Sequence, residues 1–288
     1  MATKTGTEHF VDLTSARTRY IEAGQGNDHL ILLHGMGVTT SADSYEFVID
    51  DLAKEFHVYS VDVLGYGKGT RTIVEGPTFD LTVDHVREFM DAKGIERASL
   101  VGHSAGGWVG GLLAYESPER LNKLVMLCAA GLNAEISPGI ANQALPADEE
   151  AAAAGFSRMV LDQSALTPER VNALAASVLE MAGQPGALHS LDGIIHQMNT
   201  WEVRERYLLH RRLPYIKAPT LVIWGKGDWM DPFPTWTEEY ERLGGDMSKS
   251  SKPWTIPGAK YLMMPTGHSP NWEAPEALAK ILTEFLKS

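Results

Sequence analysis

Residues 97–120 read RASLVGHSAGGWVGGLLAYESPER: a short apolar run, a serine set between glycines, then a helical pattern. Glycine weakens helices and strands alike, yet Gly106, Gly107, Gly110 and Gly111 all follow Ser104 closely. The segment Gly102-His103-Ser104-Ala105-Gly106 fits a sharp strand-to-helix turn, where a serine is held at strained backbone angles and small neighbours let the turn form. The hydroxyl then projects beyond the carboxyl end of the strand, and the Ala105 N–H points at any oxyanion formed there. The four later glycines let the helix lie close against the adjoining strands. A glycine-rich turn with an incidental serine is the competing reading; the strand before it and the helix after it favour the strained turn.

Working outward, similar strand-like runs recur. HLILLHG (29–35), FHVYSVD (56–62), KLVMLCA (123–129) and PTLVIWG (219–225) are short and mostly apolar. Such runs suit strands buried on both faces of a parallel sheet. Between them, SADSYEFVIDDLAKEF (41–56) and LTVDHVREFMDAKGI (81–95) carry apolar residues at helical spacing, so both are predicted to be crossover helices. The predicted fold class is α/β with a mostly parallel sheet. The alternation breaks over residues 133–213, which read as helices without a strand and include a helix start at Thr167-Pro168. Because it resumes at Pro219, residues 1–132 and 214–288 are assigned to one core, with 133–213 as an inserted helical cap.

Composition narrows the function classes. Of the 288 residues, 44% are hydrophobic and 22% charged, ordinary for a globular chain with a sizeable core. A net charge of −12 with no basic stripe argues against nucleic acid. No apolar run is long enough for a membrane span or a signal peptide, so a cytoplasmic location is expected. The sole cysteine, Cys128, excludes an intramolecular disulfide and reads as a buried thiol. No metal-ligand spacing stands out, and GYGKGT (65–70) departs from the dinucleotide fingerprint, so neither metal nor cofactor is expected.

A serine hydroxyl needs a base to take its proton and a carboxylate to hold that base in the right tautomer. On a strand-turn-helix serine the chain order should be serine, acid, histidine. Asp228, three residues past the Gly225 turn, is the preferred acid, with Asp231 as its competitor. His268, between Gly267 and Pro270 after the apolar run YLMM, stands out among ten histidines as the base. His103 reads as packing beside the serine. A second oxyanion donor is expected from the Met36 amide within His34-Gly35-Met36-Gly37, opposite that of Ala105.

These motifs together resemble the α/β-hydrolase fold superfamily, from about Arg19 to Leu286. The likeness rests on His34-Gly35-Met36-Gly37, Asp62 with Gly65 and Gly67, Gly102 to Gly107, Trp224-Gly225 with Asp228 and Pro232, and Gly267-His268. It implies a nucleophilic Ser104 with Asp228 and His268, acting on an ester, a lactone, or a carbon–carbon bond of a ring-fission product. The capped hydrolases are the nearest group; against them, Trp272 looks like a substrate-site tryptophan, and Arg211 or Arg212 like a carboxylate-binding cap arginine. Further substrate-site candidates are His103 and Trp201. Cap side chains Phe156, Met159, Met181, Met198, Trp201 and Tyr207 suggest a small, fairly apolar substrate, although most suit cap packing better. VTTSADS (38–44) and LGGDMSKSSKPWTIPG (243–258) depart from the group's pattern. Two rival readings stay open on this fold: a receptor that keeps the triad for binding, and a cofactor-free haloperoxidase or perhydrolase. The sequence also leaves open whether the chain forms a homodimer.

Overall fold

A computed structural model describes residues 6–37, 40–70, 78–132, 144–189, 192–193, 196, 200–230, 234–250 and 255–288, with only the backbone for 234–237 and 248. The strands are β1 (Thr7–Asp12), β2 (Arg17–Ala23), β3 (His29–Leu33), β4 (His57–Val61), β5 (Ala98–His103), β6 (Leu121–Leu127), β7 (Thr220–Gly225) and β8 (Lys260–Met264). They form one sheet in the order β1-β2-β4-β3-β5-β6-β7-β8. The β1–β2 and β2–β4 pairings are antiparallel, and the remaining pairings are parallel.

The sheet's two faces follow from the two-residue period of a strand. Along β3, Ile31 and Leu33 join one hydrophobic cluster, while Leu30 and Leu32 join the other. The same alternation runs through Val222 and Trp224 against Leu221 and Ile223 of β7. On the first face pack helices α2 (Phe79–Ala92) and α3 (Ala105–Glu116). The second face is covered by the short helix α1 (Ile49–Leu52) and by α9 (Pro275–Lys287), which buries Leu278, Leu282, Phe285 and Leu286. Each of these side chains withdraws enough apolar area to contribute about 2 kcal/mol.

Segment 41–56, predicted as one helix, is instead a 3-10 turn over Ala42–Tyr45 followed by α1. Side chains at its start explain the break. The Ala42 N–H donates to the Asp62 carboxylate at 2.7 Å, and Asp43 pairs with the buried Arg19 guanidinium at 2.8 Å. Those bonds hold the chain against the ends of β2 and β4 before it can wind regularly. Strands β1 and β2 have no counterpart in the sequence reading: β1 is largely exposed and lies at the sheet edge.

Between β6 and β7 the described chain is helical: α4 (Glu149–Ser157), α5 (Pro168–Ala182) and α6 (Trp201–Tyr207), and α7 (Pro234–Arg242) follows β7. The Thr167 hydroxyl caps α5 by accepting from the Arg170 N–H, with Pro168 in the first turn, as its sequence predicts. This region has a small cluster of its own, built from Ala152, Phe156, Val160, Leu166, Leu174 and Ala175. Tyr207, Leu208, Leu209 and Leu213 pack into the sheet's cluster instead.

Candidate active site

The groups singled out by the sequence lie at the carboxyl ends of β3, β5, β7 and β8. Ser104 stands between β5 and α3 with φ +53° and ψ −123°, a left-handed conformation that costs a non-glycine residue on the order of 1–2 kcal/mol. Main-chain bonds hold it there: its N–H donates to Leu127 O at 2.9 Å, and its carbonyl accepts from Gly107 and Ala130, both at 3.0 Å. The turn is so tight that a Cβ on Gly106 would lie 2.4 Å from Leu33 O, so this glycine is required by space. A Cβ on Gly35 would lie 3.0 Å from Ser104 Cβ, which sets the His34–Gly37 loop directly beside the serine.

That loop is fixed by His34, whose Nε2 accepts from the Val63 N–H at 2.9 Å and whose Nδ1 thus donates to Gly35 O at 2.7 Å. Met36 and Ala105 are both buried and line the cavity next to Ser104. His34 was read only as a motif letter; its role as a brace follows from contacts made 29 residues away in sequence.

Asp228 and His268 meet across 40 residues of sequence: His268 Nδ1 lies 3.0 and 2.9 Å from the two Asp228 oxygens. Both side chains are buried. A carboxylate accepts only, so Nδ1 carries a hydrogen, and in the neutral imidazole it is Nε2 that keeps the lone pair. The competing acid, Asp231, lies outside the described residues. His103 sits against this pair, its Nε2 2.7 Å from the His268 carbonyl and the two rings 4.9 Å apart. Burial, with His268 nearby, pushes the His103 imidazole down to about 3, so it stays neutral and donates to that carbonyl.

Among the described residues, one group brings possible metal-ligating atoms together: Cys128, Asp228 and His268, within 4.8 Å of one another. Two of its three members are the hydrogen-bonded pair itself. Cys128 is fully buried, as its sequence context predicts.

Ser104, His268 and His103 open onto one cavity of about 740 Å³. Its far wall comes from the helical region, through Phe156, Met159, Leu174 and Val178, and Trp272 joins from the core. Trp272 packs edge-on against Phe156 at 5.2 Å, and its Nε1 donates to Ser44 O at 3.1 Å. Other expected site residues fall elsewhere. Trp201 is 51% exposed and does not line the cavity. Arg211 donates to Glu205 O and Arg212 to Leu208 O, so both guanidinium groups serve carbonyls within or just after α6. Arg158 lines the cavity instead, a position the sequence offered no reason to prefer. Met181 is buried away from the cavity lining and Tyr207 joins the sheet's cluster, while Met198 lies outside the described residues.

Behind the loop sits a buried ionic group missed at sequence level. Arg19 pairs with Asp43 at 2.8 Å and with Asp62 at 3.4 Å. Burial pushes the Asp62 carboxyl up to about 6 despite that partner, while the carboxylates raise Arg19. Asp62 carried a signal, being the acid before Gly65 and Gly67; Arg19 carried none.

A sheet of this order, with a strained serine after β5 and a histidine–carboxylate pair after β8 and β7, defines a class of enzyme. The sequence profile of the alpha/beta hydrolase fold matches residues 28–275. The chain belongs to the α/β-hydrolase fold family, and its relatives place it among the hydrolases. It is 30% identical, over 99% of its length and 97% of the relative's, to a 2-hydroxy-6-oxononadienedioate/2-hydroxy-6-oxononatrienedioate hydrolase of Burkholderia vietnamiensis. It is 27% identical to the monoacylglycerol lipase ABHD6 of Homo sapiens, over 90% of this chain and 75% of that one. Among solved structures, the meta-cleavage product hydrolase CumD of Pseudomonas fluorescens IP01 superposes with a TM-score of 0.79 at 25% identity, covering 97% of both chains. Among the described residues, no helix is long and apolar enough to cross a membrane.

Proposed function

We propose that the protein hydrolyses a small carbonyl compound with a fairly apolar acyl part, using Ser104, His268 and Asp228 as a catalytic triad. The observation that carries this reading is that His268, paired with the buried Asp228 behind it, lines the cavity that also holds Ser104. His268 Nε2 takes the Ser104 proton as Oγ attacks the carbonyl carbon, and the Met36 and Ala105 amides receive the oxyanion. One such donor is worth about 3 kcal/mol of barrier. The tetrahedral species collapses as His268 returns the proton to the leaving group. Water, deprotonated by the same imidazole, then frees the acid and restores Ser104.

Residues 133–213 act as a cap, and the largely apolar wall they contribute selects the acyl group. The enzyme works in the cytoplasm on a diffusible substrate, without a metal or cofactor. A second reading, cleavage of a carbon–carbon bond in a 2-hydroxy-6-oxo-dienoate, is favoured by the full-length likeness to the Burkholderia enzyme. His268 would then also manage the proton that turns the dienol into a ketone.

The test compares wild type with Ser104→Ala on p-nitrophenyl acetate, p-nitrophenyl butyrate and a 2-hydroxy-6-oxo-dienoate, together with fluorophosphonate labelling. Turnover and stoichiometric labelling in wild type, both lost in the variant, are expected. Equal background rates in the two proteins sink the proposal and leave a binding module. Turnover of the dienoate alone selects the second reading, and turnover that requires peroxide selects a perhydrolase.

A further inference from the structure

The short helix α8 (Pro270–Glu273) follows His268 and ends in a carboxylate that the catalytic reading does not use. Glu273 is only 6% exposed. One of its oxygens, Oε2, accepts from the Gly267 N–H at 2.7 Å and from the Leu161 N–H at 3.0 Å. The other, Oε1, accepts from the Asp162 N–H at 2.8 Å. One buried carboxylate thus gathers a main-chain donor from the residue before His268 and two from the segment that joins α4 to α5.

Further contacts bind the same two segments. The Ser269 N–H donates to Met159 O at 3.1 Å. A Cβ on Gly267 would lie 2.6 Å from Met159 O and 2.8 Å from Leu161 N, so the two backbones touch and only glycine fits between them. The acid loop joins in, since Trp229 Nε1 donates to the Arg158 carbonyl and a Cβ on Gly227 would lie 2.6 Å from Leu161 Cδ1. Arg158 and Met159 are themselves part of the cavity wall.

We propose that Glu273 is a positioning residue that ties the 158–162 wall of the cavity to the His268 loop, so that wall seating and imidazole placement are one event. The chemistry supports a carboxylate in this place. An ionised carboxylate only accepts, and bonds from N–H groups to a charged oxygen are stronger than those to a neutral one. A glutamine of the same shape offers one acceptor oxygen and turns an NH2 toward donors. With the carboxylate weakened, the wall is free to lift and the loop carrying His268 loses its anchor on one side. Remote contacts of this kind hold reacting groups within a few tenths of an ångström, and small misplacement is expensive in rate.

The proposal rests on His268 being the base, and its test separates the two claims. In the wild-type protein, amide exchange followed by NMR should show the Leu161, Asp162 and Gly267 N–H groups opening with one common rate. Rates differing by more than tenfold between Gly267 and the other two overturn the latch, whatever the activity. In Glu273→Gln, kcat on p-nitrophenyl acetate should fall 10- to 100-fold with KM changed less than threefold, because acetate is too small to use the far wall. The acidic limb of the kcat/KM profile should move by at least half a pH unit, and Glu273→Asp, one methylene short, should not restore the rate. A folded Glu273→Gln enzyme with wild-type kcat and pH profile overturns the proposal. Should that variant fail to fold, Glu273→Asp carries the same readouts and the wild-type exchange measurement still decides. If Ser104→Ala keeps full activity, the catalytic reading fails while the exchange result stands on its own.

Discussion

The carboxyl edge of the sheet and the helical region above it are built differently, and the contrast explains what each does. At the edge, strand ends are fully buried, glycines admit backbone at contact distance, and Ser104 is held at a strained angle by bonds to two neighbouring segments. Strain of that kind persists only where the surroundings over-determine it. The helical region has a cluster of about six side chains and completes it with Trp272 from the core. Its ties to the sheet side include the ion pairs Lys68–Glu180 and Arg170–Glu276, each with a well-exposed acid, and such pairs are worth little. The rigid part holds the proposed reacting groups. The softer part shapes the cavity and, away from the 158–162 segment that Glu273 anchors, can vary without disturbing them.

The largest expected effect tests the rigid half. Asp228→Asn keeps the shape of the acid but lets the amide favour the wrong His268 tautomer. We expect kcat to fall on the order of 10³- to 10⁴-fold while the melting curve stays nearly unchanged. Steady-state kinetics on p-nitrophenyl butyrate reads this; a loss under tenfold would move the acid role to another carboxylate.

Next comes a pair of truncations. Leu32 is 0% exposed between sheet and helices, and Leu32→Ala should cost about 3 kcal/mol in urea unfolding. Phe156, in the small cluster against Trp272, faces the cavity. Because a region with so small a core can open locally, Phe156→Ala should cost the whole molecule about 1 kcal/mol yet raise KM several-fold. Equal costs in the two variants would mean that both regions unfold as one unit and would erase the contrast drawn here.

The smallest effect concerns pH. Burial holds His103 down to about 3 and His85 down to about 4, against an ordinary value of 6.5. The unfolded chain takes up protons that the folded one refuses, so the stability tied to these two is present above pH 6.5 and is lost as pH falls. Asp62 acts oppositely: pushed up to about 6 from 3.8, its share is present at low pH and lost as pH rises through 6. Two uptakes against one release leave about one proton, or about 1 kcal/mol per pH unit between 6 and 4. Urea midpoints across that range check the slope, and His85→Asn should flatten it. All three groups belong to the sheet half, so near-ultraviolet signals from Trp108 and Trp224 should report the loss. A flat response would show that water reaches these side chains.

What could be read beforehand follows the range of the forces involved. Buried parallel strands need continuous apolar runs, so β3 to β7 stood out, whereas the exposed edge strand β1 did not. Helix α5 announced itself through its Thr-Pro start, a local effect. The break at residues 41–56 could not be anticipated, because it depends on Arg19 and Asp62 meeting Asp43 and Ala42 across two strands. Trp201 and Arg211 had the right chemistry for a substrate site, but Trp201 is half exposed on α6 and Arg211, in the turn after it, folds back on the Glu205 carbonyl.

From the sequence alone came the fold class, the strained serine and the serine's glycine-rich surroundings, since each is set by patterns within single strands, helices and turns. Tertiary structure decided which side chains line the cavity, that His34 and His103 brace the loops beside Ser104 and His268, and that Glu273 binds three amides from two distant segments. The reason is physical: a turn or strand is selected by its own residues, whereas a buried polar contact exists only once remote segments have excluded water around it.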